Sequence, residues 1–210
     1  MISLTEQDFK SYETRKRARF INSLSGFKSA NLLGTINSKG QTNVSIISSA
    51  FHLGADPALL GFIIRPDKSP RHSLNNIRQN KLCSLNQIHS EFFKQAHQTS
   101  TRYPQEISEF AACGLTEEYL DGFKAPFVKE SHIKMALQLE EEKKIEINGT
   151  HLLIMSIKTV YLPENCLLED GFIDLEQVGT VCVSGLDSYH STTRLARLPY
   201  ASLQNATKIP

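Results

Sequence analysis

Residues 43–77 read NVSIISSAFHLGADPALLGFIIRPDKSPRHSLNNI. Two β-favouring runs, Val44 to Phe51 and Leu59 to Ile64, flank a turn signal at Gly54-Ala55-Asp56-Pro57. Ser45, Ser48 and Ser49 crowd the first run; Arg65, Lys68, Arg71, His72, Ser73 and Asn76 follow the second. A pair of strands thus delivers amides and hydroxyls, and a cationic loop comes directly after. That suits a flat, polar-edged ligand carrying a phosphate. Arg65 and Arg71 offer fork-shaped donors for the phosphate, and His72 offers one more. Ser73 stands where a short helix can open, and the amides of a helix N-terminus favour an anion.

Working outward, Ala30 to Asn37 reads as a strand and Ser38-Lys39-Gly40-Gln41 as a hairpin turn. With Asn43 to Phe51 and Leu59 to Ile64 this predicts an antiparallel meander, because parallel strands need long crossovers. Ser73 to Gln79 fits a short helix with Leu74 and Ile77 inward, joined there by Ile88, and Lys81 to Ile88 a fourth strand. His132 to Glu141 alternates, with Ile133, Met135, Leu137 and Leu139 on one face and Lys134, Gln138 and Glu140 on the other. Asn148-Gly149 marks a hairpin, and Pro163 stops the strand from His151 to Leu162. Residues 4–24 predict one basic amphipathic helix. Residues 89–131 predict a helical insertion, with short helices at Ser108 to Leu115 and Thr116 to Phe123. Glu140 to Glu142 beside Lys143 and Lys144 reads as a solvated strand end and turn. Many short strands around one insertion imply a mainly β, antiparallel barrel in a single domain of residues 1–210.

Other classes are disfavoured. A net charge of +1 creates no long-range field for nucleic acid or an anionic membrane. No apolar run approaches the roughly 20 residues that span a bilayer. Cys83, Cys113, Cys166 and Cys182 form no C-x-x-C pair, and the histidines never fall at metal-binding spacing. There is no G-x-G-x-x-G, P-loop or G-x-S-x-G. The expectation is a cytoplasmic protein with reduced thiols, no metal, and neither nucleic acid nor membrane as partner.

The chain resembles the flavin reductase-like proteins of the FMN-binding split barrel class, flavoredoxins included. The resemblance runs over roughly residues 15–190. It rests on Asn43 with Ser48 five residues on, Asp56-Pro57, Leu59 to Ile64, Arg71-His72-Ser73 and Asn76-Ile77. Farther along, it rests on Ala125-Pro126, Glu130-Ser131 and the strand from His151. Ile46 stands where the family commonly has Pro, and His72 where an acidic residue is frequent. The resemblance implies a Greek-key split barrel that binds FMN. Asn43, Ser45, Ile46, Ile47, Ser48 and Ser49 would line the isoalloxazine ring. Arg65, Arg71, His72 and Ser73 would hold the phosphate and ribityl chain, with Asn76 in the same set. It also implies a homodimer with the flavin near the subunit boundary, where a tail carrying Tyr189, Arg194 and Arg197 reaches the partner's site. The implied reaction is hydride transfer from NAD(P)H to flavin, with no side chain named as acid or base, since the cofactor carries the chemistry. The alternatives are a non-catalytic flavin- or haem-binding module for sensing or storage, and a split barrel of pyridoxamine-phosphate-oxidase type.

Overall fold

The structure, a computed structural model, describes residues 1–66, 72–104, 106–200 and 202. Lys68 and Arg71 lie outside the described residues. The chain opens with helices α1 (Glu6–Lys10) and α2 (Thr14–Leu24), followed by strands β1 (Lys28–Ser29), β2 (Asn31–Ile36), β3 (Thr42–Ile47), β4 (Phe51–Ala55) and β5 (Ala58–Ile64). Helix α3 (His72–Asn80) leads into β6 (Leu82–Gln87). An excursion follows with α4 (Phe93–Gln98), α5 (Glu109–Cys113), β7 (Glu117–Glu118) and β8 (Phe127–Val128). Two long strands, β9 (Lys134–Ile145) and β10 (Thr150–Tyr161), precede the short β11 (Cys182–Ser184) and β12 (Ser188–His190).

Seven strands form one antiparallel sheet in the order β3-β2-β6-β9-β10-β5-β4. Its two edge strands are joined by residues 48–50 alone. A chain advances at most about 3.6 Å per residue, so Ile47 and Phe51 lie within about 14 Å of each other. The sheet therefore has to curl until its edges nearly meet, which makes it a split barrel. Ser49 spans the remaining gap: its Oγ donates to the Ile63 carbonyl (2.9 Å) and accepts from the Ile63 amide (3.0 Å). The expected mainly β, antiparallel fold is what forms.

One core fills the barrel, with Leu33, Phe62, Leu74, Ile77, Leu85, Leu137, Leu153 and Met155 buried. Leu74 and Ile77 project from α3, as their spacing predicts. A second core lies on the other side of β2 and β3, where Ala30, Leu32 and Val44 pack with Ile88, Phe92 and Phe110 of the excursion. A three-stranded sheet, β1-β11-β12, flanks it.

Several local expectations change. The helix over 4–24 is two helices broken at residues 11–13, with Glu13 capping the second through the Arg15 and Lys16 amides. The Asn43 to Phe51 strand divides at residues 48–50, and the three-strand meander fails with it. β5 pairs with β4 and β10, not with β3. Thr116 to Phe123 is not a helix, because Glu117 and Glu118 pair with Val128 and Phe127. That pairing brings Glu118 onto Lys134, which is buried and ion-paired rather than turned to solvent. The acidic run is no strand end: β9 continues to Ile145 because β10 pairs with it along that whole length.

Gly34 sits mid-strand in β2, where a Cβ would meet the Pro126 carbonyl oxygen at 2.2 Å and Ser84 Oγ at 2.4 Å. A backbone carbonyl cannot swing aside. Gly34→Ala is expected to lower the unfolding free energy by roughly 3 kcal/mol, the upper end for overpacking. Urea titration measures this, and adding Ser84→Ala should recover little of it, because the Pro126 carbonyl remains.

Candidate functional site

The side chains of β3 alternate between the two cores. Ile46 packs against the outer core and Ile47 against the inner one. Asn43 and Ser45 share the inner face with Ile47 and meet the start of α3. Ser45 Oγ lies 2.9 Å from Ser73 Oγ. With its amide set so that donors meet acceptors, Asn43 takes the Ser73 hydroxyl proton on its oxygen (2.9 Å) and donates to Glu109 Oε2 (3.2 Å). A relay thus runs from Ser45 through Ser73 and Asn43 to Glu109, tying α3, β3 and α5 together. Glu109 is buried, and burial pushes its carboxyl above the ordinary range, opposed by its own amide and that of Val44. Asn76, also buried, donates to Thr35 Oγ1 (3.0 Å) and fixes α3 to β2. Ser49 is committed to Ile63. Asn43, Ser45, Ser49, Ser73 and Asn76 therefore spend their side chains on holding the site's frame.

Another set carries no such commitment among the described residues. Ser48 and His72 are half-buried and Arg65 is exposed, and none of the three makes a side-chain hydrogen bond or ion pair there. The amides of Ser48, Ser49 and Ala50 likewise have no backbone acceptor among the described residues. The carbonyl of Ala50 accepts only from Ser29 Oγ, at 3.2 Å. Helix geometry leaves the first-turn amides of α3, beginning at His72, without intrahelical partners. Half-buried backbone groups of this kind need a partner or water. The site thus has an unpaired polar edge at 48–50 and a helix start at 72–73, with Arg65 following β5. Arg71, the other expected phosphate ligand, lies outside the described residues.

Three features were not read from the sequence. Glu109 carries no local signal, because only the fold of the excursion brings it to Asn43. Ser29 of β1 reaches the Ala50 carbonyl, far from it in sequence. The third is a charged cluster at the far end of α3. Arg78 Nε donates to Glu142 Oε2 (3.0 Å) and Arg78 Nη2 to Glu142 Oε1 (2.6 Å), while His151 Nδ1 lies 2.8 Å from Glu142 Oε1. Arg78 is four residues from Leu74 on the helix. That spacing places it beside the buried face, but only the β9–β10 register supplies Glu142 and His151.

The four cysteines are free thiols, with Cys83, Cys113 and Cys166 buried. Among the described residues no helix is long and apolar enough to cross a membrane.

The flavin reductase like domain profile matches residues 24–173. A presumed flavin reductase with a split barrel domain from Shewanella frigidimarina NCIMB 400 is 52% identical. It covers 96% of this chain and 100% of its own, with a TM-score of 0.93. Flavoredoxin of Desulfovibrio vulgaris (Miyazaki F) has the same fold at 18% identity, with a TM-score of 0.73 over 84% of this chain and 93% of its own. An uncharacterized protein of Aquifex aeolicus (strain VF5) is 25% identical over 140 residues, 63% of this chain and 70% of its own.

Hydrogen bonds from Arg78 hold the Glu142 carboxyl below its usual 4.5, with His151 adding to the effect. A carboxyl depressed on folding stabilises the protein above its unfolded value, and that contribution fades as pH falls through the folded one. Glu142→Gln should therefore destabilise the protein at pH 7 and flatten the decline in stability below about pH 4.5. Urea midpoints from pH 3 to 7 measure it; parallel curves for variant and parent would refute the assignment.

Proposed function

Because the chain belongs to the flavin reductase like domain family, whose members are flavin-using reductases, we propose that it binds FMN and passes hydride from NAD(P)H to a flavin. The observation that carries this reading is the backbone edge at 48–50, whose amides have no backbone acceptor among the described residues, together with the nearby start of α3 at His72. The amides and carbonyls of Ser48 and Ser49, with the Ser48 hydroxyl, match the alternating donors and acceptors along the pyrimidine edge of a flavin. The first-turn amides of α3 and the Arg65 guanidinium suit one phosphate.

When bound, FMN supplies the two-electron chemistry. The chain's own residues position and exclude. The Ser45–Ser73–Asn43–Glu109 relay fixes the start of α3, whose first-turn amides would hold the phosphate. Ser49 fixes the 48–50 edge against β5. Ile46 and Ile47 anchor the preceding strand in the two cores. Two copies of the chain would shield the ring's outer face from water.

The test uses purified protein titrated with FMN, FAD and riboflavin, followed by NADH and NADPH oxidation with added FMN. Arg65→Ala is expected to weaken FMN binding by roughly 1.5–3 kcal/mol, about 10- to 150-fold, while leaving riboflavin binding unchanged. An equal loss for both ligands would remove Arg65 from the phosphate. Tight yellow colour without oxidation of either nicotinamide would favour the sensing or storage module over the reductase.

A further inference from the structure

His89 and His132, which none of the contacts above involve, stack with their ring centroids 4.4 Å apart. His89 follows β6 and His132 precedes β9, and the pairing of those two strands brings the rings together. The surrounding groups fix which nitrogen of each ring carries the proton. His89 Nδ1 accepts from the Glu91 amide at 3.1 Å, so its proton sits on Nε2. His132 Nδ1 lies 3.1 Å from the Val178 carbonyl oxygen, which only accepts, so there the proton sits on Nδ1. A second proton changes the two rings differently. His132 takes it on Nε2 and keeps Val178. His89 takes it on Nδ1 and loses the Glu91 amide, and two imidazolium rings at that separation repel.

Both rings hold one segment. Residues 176–180 form a turn closed on itself, the Gly179 amide donating to the Glu176 carbonyl and the Thr180 amide to the Leu175 carbonyl, each at 3.0 Å. The turn lies on the pair: a Cβ at Gly179 would collide with His89 Nε2, and the Val178 carbonyl is the acceptor of His132. It is tied to the end of β6 by the Ser90 amide on the Gly179 carbonyl (3.1 Å), the Val181 amide on the Ile88 carbonyl (3.0 Å) and Thr180 Oγ1 on Gln87 Oε1 (3.1 Å). Leu175, Thr180 and Val181 also line a groove of about 560 Å³, together with Phe27, Asn31 and Gln87. A shift of the turn is therefore a shift of the groove's wall.

Little charge is at hand to offset a second proton. The Glu91 carboxylate is 3.9 Å from His89 Nδ1 but 85% exposed, so water screens it. On the neighbouring segments, Glu130 accepts from the Thr116 amide, Lys134 pairs with Glu118, and Asp174 pairs with Arg194, which Glu176 also faces. The Cys166 thiol, packed with Val178, donates to the Pro163 carbonyl. Burial, and the neighbouring His132 after it, hold the His89 imidazole below its ordinary 6.5. A base depressed on folding weakens the folded arrangement as pH falls below the unfolded value, so the effect sets in just under about pH 6.5. We propose that the His89–His132 pair is a proton-operated latch on the 176–180 turn: neutral, it holds the turn on β6, and doubly protonated, it releases the turn and widens the groove. The latch depends on neither a bound flavin nor a second copy of the chain.

Hydrogen–deuterium exchange of the full-length chain at pH 7.5 and 5.5, corrected for the intrinsic rate and read by mass spectrometry, tests this. Peptides covering 174–182 should exchange at least about fivefold faster at the lower pH, while those of β9 and β10 change less than about twofold. His132→Asn keeps a donor for the Val178 carbonyl but cannot take the charge, and its 174–182 peptides should differ by less than about twofold between the two conditions. Ring proton resonances followed by NMR from pH 8 to 5 should show the pair titrating in two separate steps in the parent and His89 in one step in the variant. Exchange at 174–182 that ignores pH in the parent, or that rises equally in His132→Asn, overturns the latch. So does a rise spread equally over β9 and β10, which marks global loosening. A parent whose two rings titrate together at the ordinary histidine value overturns it without recourse to the variant.

Discussion

Residues 48–50 are the constraint from which the rest follows. They are too few to let the edges of a seven-stranded sheet stand apart, so the sheet must close on itself. Closure is completed by one side chain, because the Ser49 hydroxyl both donates to and accepts from Ile63 in place of a strand. That substitution leaves the linker's own amides outside any ladder. Short length and unladdered backbone thus have one origin: the segment that forces the barrel shut is also the one whose amides have no backbone acceptor among the described residues.

Helix α3 is held at both ends by polar contacts of different kinds. At its start, Ser73 joins Ser45 and Asn43, and Asn43 passes the contact to buried Glu109. At its end, Arg78 forks onto Glu142 beside His151, and Asn80 Nδ2 donates to the Ile36 carbonyl at 2.6 Å. Between these, Leu74 and Ile77 supply the burial. Moving α3 means breaking contacts to β2, β3, β9 and β10 together.

Much of this frame was legible, and the reasons it stopped being legible are local. Strands β2, β6 and β10, the hairpin at Asn148-Gly149 and the inward face of α3 follow from period and turn chemistry, since one competing force decides each. Ser48-Ser49-Ala50 interrupts a strand with residues that strands accept, so the split in Asn43 to Phe51 has no sequence mark. Lys134 falls on the polar side of an alternating strand, yet the excursion folds over that side and pairs it with Glu118. A serine facing a ligand and a serine facing a neighbouring helix look alike in sequence. The polar cluster at Asn43 to Ser49 is visible in the sequence, while which of its side chains are taken up by neighbouring elements needed the register of β3 on β2 and the seat of α3.

The use of polar pins where apolar packing already holds α3 has a physical rationale. A carboxyl buried as deeply as Glu109 is expensive in itself, and replacing such groups with apolar residues often stabilises a fold. Apolar contact, however, is non-directional, and a helix resting on Leu74 and Ile77 could shift or rotate by a fraction of a turn with little change in buried area. Hydrogen bonds weaken steeply with angle and distance, so Ser73 and Asn76 accept one axial position and one rotation. What the relay adds is direction: it fixes where the first-turn amides of α3 point. For the proposed site, built from backbone groups whose geometry no rotamer can correct, that direction is the property the chain has to secure.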